Sequence, residues 1–250
     1  MSPSVLFANG AVGVEVLEHL IACGDAPRLC VLHPEPQRRK GERFERLCGQ
    51  TGIPIICPGE LSPERLASGP GELAVSAYYG YILKPDIIRC FERGIINFHP
   101  GLLPHNRGTN SNVWPLVDGS PAGVSLHYID AEIDTGPLLL QRSVQVLPSD
   151  SAQTLHGRLE RAMVDLFREH WPALRDGRID ARPQPPGGSL HYRRELALLK
   201  NLDMDARMTM REAINLLRAC TFPPHPGAHF EIEGRRYQVE INIEEVEPCS

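Results

Sequence analysis

This chain has no run of apolar residues approaching the roughly 18–20 that a membrane-crossing helix needs. Its opening, Met-Ser-Pro-Ser, carries neither a basic n-region nor the apolar stretch of a signal peptide, which sets the expectation of a cytoplasmic protein with no membrane partner. Disulfide potential is low. Seven cysteines, at 23, 30, 48, 57, 90, 220 and 249, are odd in number and scattered, with no Cys-x-x-Cys pair. Such a set reads as reduced thiols, most of them filling core space. Positive charge is not in surplus either. A net charge of −5 and a pI near 6.1 disfavour a protein dominated by phosphate-backbone contacts, so no nucleic-acid partner is expected. There is no internal repeat and no low-complexity segment. What remains is an ordinary globular composition, 42% hydrophobic and 23% charged, over 250 residues. That is enough for a sizeable core, as one large domain or a domain with an appendage.

The first hundred residues alternate short apolar strands with helical patterns. Strands are predicted at 4–8, 28–33, 54–57, 73–77 and 94–98, and helices at 12–21, 41–48, 62–67 and 84–90. Alternation at this pitch predicts right-handed βαβ units, an α/β fold with a doubly wound, mainly parallel sheet. Two longer strands, 122–129 and 137–146, follow, and a helix capped by Asp150 or Ser151 runs to about His170 on the stripe Leu155, Leu159, Met163 and Leu166. Residues 176–189 hold three prolines and three glycines and read as a linker. Beyond it, Thr209-Met210-Arg211-Glu212 is a capping box opening a helix through Cys220, and 229–241 alternates around Glu233-Gly234 as a hairpin does. The expected organisation is a catalytic domain at 1–176, a linker at 177–189 and a small C-terminal α+β appendage at 190–250.

Chemistry concentrates in Ile96-Asn97-Phe98-His99-Pro100 and in Ile133-Asp134-Thr135-Gly136-Pro137. On a strand, Asn97 and His99 project to one side. A carboxamide donor, a titratable imidazole and a carboxylate that orients it are the parts acyl transfer needs. Asn97 can donate to a developing oxyanion, a role worth about 3 kcal/mol. His99 can take the proton of an attacking amine, and Asp134 can hold the imidazole and favour its cationic form. Each residue alone also has a structural account: asparagine before a turn forms Asx-turns, and single histidines are mostly structural.

With these residues on the page, the segment 76–141 resembles the core of the 10-formyltetrahydrofolate-dependent formyltransferases. The resemblance rests on Tyr81-Ile82-Leu83, Asn97-Phe98-His99-Pro100 through Leu103-Pro104, Arg107-Gly108, His127-Tyr128-Ile129-Asp130 and Ile133-Asp134-Thr135-Gly136-Pro137. It implies the family's Rossmann variant over most of residues 1–175 and a catalytic trio of Asn97, His99 and Asp134. It also implies 10-formyltetrahydrofolate as one-carbon donor, in a pteridine pocket formed by Gly80, Tyr81, Leu83 and Ile88, with backbone groups from Ala131 to Asp134 at the pterin edge. No metal is expected, since His99, His105 and His127 lack ligand spacing. One departure is Gly101, where many members carry serine.

The acceptor is read from other segments. The loop after the first strand, Ala8-Asn9-Gly10-Ala11-Val12-Gly13, lacks the serine of a glycinamide ribonucleotide enzyme. An acidic chain with a short tail fits tRNA poorly. His105-Asn106-Arg107-Gly108-Thr109-Asn110-Ser111-Asn112-Val113-Trp114 and Phe222-Pro223-Pro224-His225-Pro226-Gly227-Ala228-His229-Phe230 are instead similar to segments of the sugar N-formyltransferases, which implies a nucleotide-linked 3- or 4-amino deoxysugar. Asn9, Tyr78, His105, Asn106, Arg107 and Phe222 are the candidate acceptor contacts. Asn106, Asn110 and Asn112 suit sugar hydroxyls and Arg107 a phosphate, although the same residues can simply brace a long loop. Trp114 reads as core packing, and one of Tyr78 and Tyr79 is expected to face the core. The resemblance also leads to the expectation of a homodimer. Still open at this level are a methionyl-tRNA or glycinamide ribonucleotide acceptor, formyl transfer to water, and a non-catalytic binding module.

Overall fold

The computed structural model describes residues 4–66 and 72–246. Ala67, at the end of the expected helix 62–67, and Cys249 lie outside the described residues. Five strands open the chain: β1 (Val5–Ala8), β2 (Leu29–Leu32), β3 (Ile55–Ile56), β4 (Ala74–Ala77) and β5 (Ile95–His99). Then come β6 (Arg107–Gly108), β7 (Gly123–Tyr128), β8 (Leu138–Ser143), β9 (Leu190–His191), β10 (Ala228–Ile232) and β11 (Arg235–Val239). The helices are α1 (Gly10–Ala22), α2 (Gly41–Thr51), α3 (Pro63–Leu66), α4 (Pro85–Ile88), α5 (Trp114–Val117), α6 (Ala152–Arg175), α7 (Arg193–Leu199) and α8 (Met210–Cys220). The chain divides into two compact units: residues 1–99, 125–141 and 163–184 in one, and 100–124, 142–162 and 185–250 in the other.

The first unit is built on the sheet, whose described strands run in the order β3-β2-β1-β4-β5-β7-β8. From β3 to β5 every pairing is parallel, and β7 alone is paired antiparallel to β5. Strands β1, β2 and β4 are buried along their whole length, as sheets covered on both faces require. One face packs Val5, Phe7, Val31 and Ile95 against Leu66, Ile87 and Phe91. On the other, Phe98 meets Phe167 of α6 with ring centroids 5.0 Å apart. The α6 stripe of Leu155, Leu159, Met163 and Leu166 is buried as expected. The helix runs past His170 to Arg175 with Pro172 inside it. Burial of Trp171 and Leu174 in that last turn outweighs the missing proline N–H.

Trp171 is fully buried and its Nε1 donates to Asp25 Oδ2 at 2.8 Å. Trp171→Phe keeps most of the packing but strips one donor from a buried carboxylate that Arg175 also meets at 3.2 Å. The expected loss is about 1.5–3 kcal/mol, readable as a lower midpoint in urea; an unchanged midpoint would show the bond contributes nothing.

In the second unit, β6 and β9 form a parallel pair, and Trp114 stacks on His191 with ring centroids 3.9 Å apart. The expected capping box is present: Glu212 N donates to Thr209 Oγ1 at 3.2 Å, and Thr209 N donates to Glu212 Oε2 at 2.7 Å. β10 and β11 pair antiparallel, joined by Glu233 and Gly234, both at positive φ as a two-residue hairpin turn demands. No described helix is long and apolar enough to cross a membrane.

Candidate active site

Alternation along β5 sends Phe98 toward α6 and puts Asn97 and His99 on the opposite face. Across the antiparallel pair, Asn97 lies in register with His127 and His99 with Ser125. β7 therefore runs back toward the start of β5, where Ile129 N donates to Ile95 O at 2.9 Å. The turn that follows returns over the same face and carries Asp134 to the two imidazoles. Asp134 Oδ2 lies 3.4 Å from His99 Nδ1, and Oδ1 lies 3.6 Å from His127 Nε2. The expected trio is thus assembled, with His99 only 3% exposed.

His127 is the member that sequence reasoning did not assign. Its Nδ1 is 2.8 Å from the carbonyl of Tyr128, which can only accept, so Nδ1 carries the proton. In the neutral ring Nε2 then holds the lone pair and accepts from Asn97 Nδ2 at 3.1 Å. One amide proton of Asn97 is spent there, which fixes the carboxamide plane and leaves the second N–H to point elsewhere. The available signal was a strand whose inward positions, Ser125 and His127, are polar yet buried. Such residues are bonded to something.

The return turn is tightly constrained. Thr135 Oγ1 donates to Asp130 Oδ1 at 2.8 Å, and Tyr128 N donates to Pro137 O at 2.9 Å. A Cβ on Gly136 would stand 1.9 Å from the Tyr128 carbonyl oxygen. Gly136→Ala must move backbone and should cost about 1–3 kcal/mol or more, a fall of roughly 2–10 °C in Tm for a chain this size. A melting curve identical to wild type would show that the turn has slack.

Beside the trio, a cavity of about 210 Å³ is lined by Ser76, Asn97, His127, Tyr79, residues 81–83 and residues 129–134. It is smaller than the roughly 300–1,000 Å³ of sites that enclose a drug-sized ligand, so it suits one ring system with the remainder outside. Tyr81, Leu83, Ala131 and Asp134 line it. Ile88 instead packs against the core cluster. Gly80, between the lining residues Tyr79 and Tyr81, donates its N–H to His33 Nε2 at 3.1 Å. Burial, with Arg39 nearby, holds the His33 imidazole below its ordinary pKa, and burial likewise raises the Tyr79 hydroxyl. Of the Tyr78-Tyr79 pair, Tyr79 is the one packed on the core, 5.2 Å from Phe7; Tyr78 follows β4 at φ +61.

The acceptor candidates fall into two kinds. Asn9 caps α1: its Oδ1 accepts from Gly10 N at 3.0 Å and Arg39 N at 2.8 Å, and its Nδ2 donates to Gln37 O at 3.2 Å. Asn106 is fully buried, its Nδ2 donating to Ser120 Oγ at 3.0 Å and its backbone N–H to Ser189 Oγ at 2.9 Å. Asn112 is likewise buried and donates to Ala152 O at 2.9 Å. These amides hold loops, which for Asn106 and Asn112 is the structural account weighed above. Arg107 is half-buried on β6, with its Nε unbonded among the described residues. His105 is half-buried in the same loop, and Phe222 lies against His156 and His225 at 5.4 and 5.5 Å.

Comparison with known proteins points to one family. Residues 63–169 match the formyl transferase family profile, and residues 195–245 match the N-formyltransferase dimerization C-terminal domain. Proteins of Mycobacterium tuberculosis and Mycobacterium bovis named dTDP-4-amino-4,6-dideoxyglucose formyltransferase are 34% identical over 165 residues, 66% of this chain and 68% of theirs. A Mycobacterium tuberculosis crystal structure ascribed to the sugar N-formyltransferases superposes with TM-score 0.83 at 25% identity, covering 99% of this chain and 100% of that one. The formyltransferase PseJ of Anoxybacillus kamchatkensis, in complex with UDP-4,6-dideoxy-4-formamido-L-AltNAc and tetrahydrofolate, is 32% identical with TM-score 0.54. It covers 68% of this chain and 88% of that one. By trio, fold and likeness together, the chain belongs to the formyl transferase family, among its sugar N-formyltransferases.

Proposed function

We propose that this enzyme forms an N-formyl amino sugar at position 4 of a nucleotide-linked 4-amino deoxysugar, with 10-formyltetrahydrofolate as the donor. One observation carries the reaction type: Asn97, His99 and Asp134 converge at the edge of a small cavity that accepts a single ring system. The position rests on the two similar proteins whose names state it, one for a 4-amino and one for a 4-formamido sugar nucleotide. The donor supplies an activated formyl carbon, to which the sugar amine bonds as the bond to N10 breaks. Asn97 donates its second amide proton to the oxygen that gains charge. His99, with Nδ1 turned to Asp134, presents Nε2 to take the amine proton and return it to the departing nitrogen. The 3.4 Å separation of His99 and Asp134 is of the kind that tightens when substrate is bound.

In this reading, Tyr81, Leu83 and the backbone from Ala131 to Asp134 hold the pterin, with Gly80 and Ile88 supporting the pocket. In the second unit His105, Arg107 and Phe222 are the acceptor candidates, with Asn106 fixing their loop; in the first, Tyr78 is, with Asn9 fixing the turn into α1. Catalysis belongs to residues 1–176, and residues 190–250 pair two copies as a homodimer. Exposed Met204, Met208, Met210, Ile214, Ile232 and Tyr237 supply that appendage with apolar surface. The enzyme works in the cytoplasm.

The test is an assay with 10-formyltetrahydrofolate and a panel of dTDP- and UDP-linked 3-amino and 4-amino sugars. Release of tetrahydrofolate with 4-amino acceptors is expected. Turnover with glycinamide ribonucleotide and none with any sugar nucleotide would sink the reading, and turnover confined to 3-amino sugars would move the site of transfer.

A further inference from the structure

Gln184 lies in the proline-rich run after α6, far in sequence from the catalytic turn. Its Nε2 donates to the backbone carbonyl of Asp134 at 2.8 Å and to that of Gly136 at 2.9 Å. A primary amide has two N–H donors, and here both go to the carbonyls that flank Thr135. Two residues upstream, Arg182 and Leu138 exchange backbone bonds: Arg182 N donates to Leu138 O at 2.9 Å and Leu138 N to Arg182 O at 2.8 Å. The segment bearing Gln184 is thereby registered on β8, independently of the turn that it grips.

The turn needs an external hold. Asp134 adopts φ +54, a left-handed conformation that non-glycine residues avoid. Rotation of its backbone toward an ordinary conformation would swing the carboxylate away from His99. We propose that Gln184 is a positioning residue for the catalytic carboxylate, its forked amide holding the turn in the backbone conformation that delivers Asp134 to His99. The inference rests on the reading of His99 and Asp134 as partners in formyl transfer.

Gln184→Ala removes the fork. Gln184→Glu keeps its shape but turns a donor into an anion facing two carbonyls. Both should lower kcat by about 10–100-fold, the scale of an ångström-level misplacement. An approaching carboxylate favours the protonated imidazole, so its loss should move the acid limb of the pH–rate profile to lower pH. The His99 titration followed by NMR in the resting protein, where Asp134 and His127 are the titratable groups facing it, should shift the same way. Turnover within twofold of wild type and an unmoved His99 titration would overturn the proposal. An unreactive wild-type protein whose His99 titration still shifts in the variants would instead overturn the formyl-transfer reading and leave the positioning role standing. Should both variants fail to melt cooperatively, the side-chain amide protons of wild-type Gln184 decide the matter. Protection from exchange supports the fork, and exchange at the rate of an exposed glutamine overturns it.

Discussion

Asn97→Ala should lower turnover about 100-fold or more, the loss of about 3 kcal/mol that follows removal of one oxyanion donor. The geometry makes Asn97 a strong case for so large an effect. Its amide is not free to rotate, because His127 accepts one of its protons at 3.1 Å and is itself locked by the Tyr128 carbonyl. The second proton is therefore aimed before substrate arrives, and no reorganisation is needed as charge develops. Alanine removes this donor without adding charge or bulk, so acceptor KM should hold within a few-fold while kcat falls. A kcat close to wild type would place the oxyanion elsewhere, most directly at His99.

His99→Asn should be comparably severe, about 100- to 10,000-fold, the span that a positioned proton acceptor contributes. Asparagine can still meet Asp134, so the variant isolates the loss of a base from the loss of a contact. Because His99 is almost completely buried, bulk water is poorly placed to substitute for it. The acid limb of the pH–rate profile should flatten, since the group whose protonation blocks the reaction is gone. Persistence of that limb would assign it to another group or to the sugar amine itself.

Much of this was legible in the sequence because it is carried by period and order. The parallel sheet, the pairing of Asn97 with His99 on one face and the α6 stripe all follow from residue spacing. So does the capping box at Thr209 and Glu212. What escaped depended on partners brought together by the fold. His127 looks like any strand histidine until register sets it opposite Asn97. Gln184 sits in a run whose prolines and glycines signal only irregular chain, and nothing local announces that its amide crosses to Asp134. Asn9 and Asn106 show the converse: an amide in a loop advertises hydrogen bonding without saying whether backbone or ligand will use it. Residues that touch a ligand and residues that brace a loop share one composition, and only the partners that the fold brings to them separate the two.

The return path of the turn after β7 has a consequence for how this protein can change over generations. Asp134 reaches His99 only because the six residues between His127 and Asp134 span a fixed distance and close against a glycine with no room to spare. Substitutions within that stretch leave its length intact. An insertion or deletion of a single residue does not. Among descendants of this sequence, length variation should therefore be tolerated in the acceptor loops and purged between His127 and Asp134, making that interval a ruler by which active copies can be told from decayed ones.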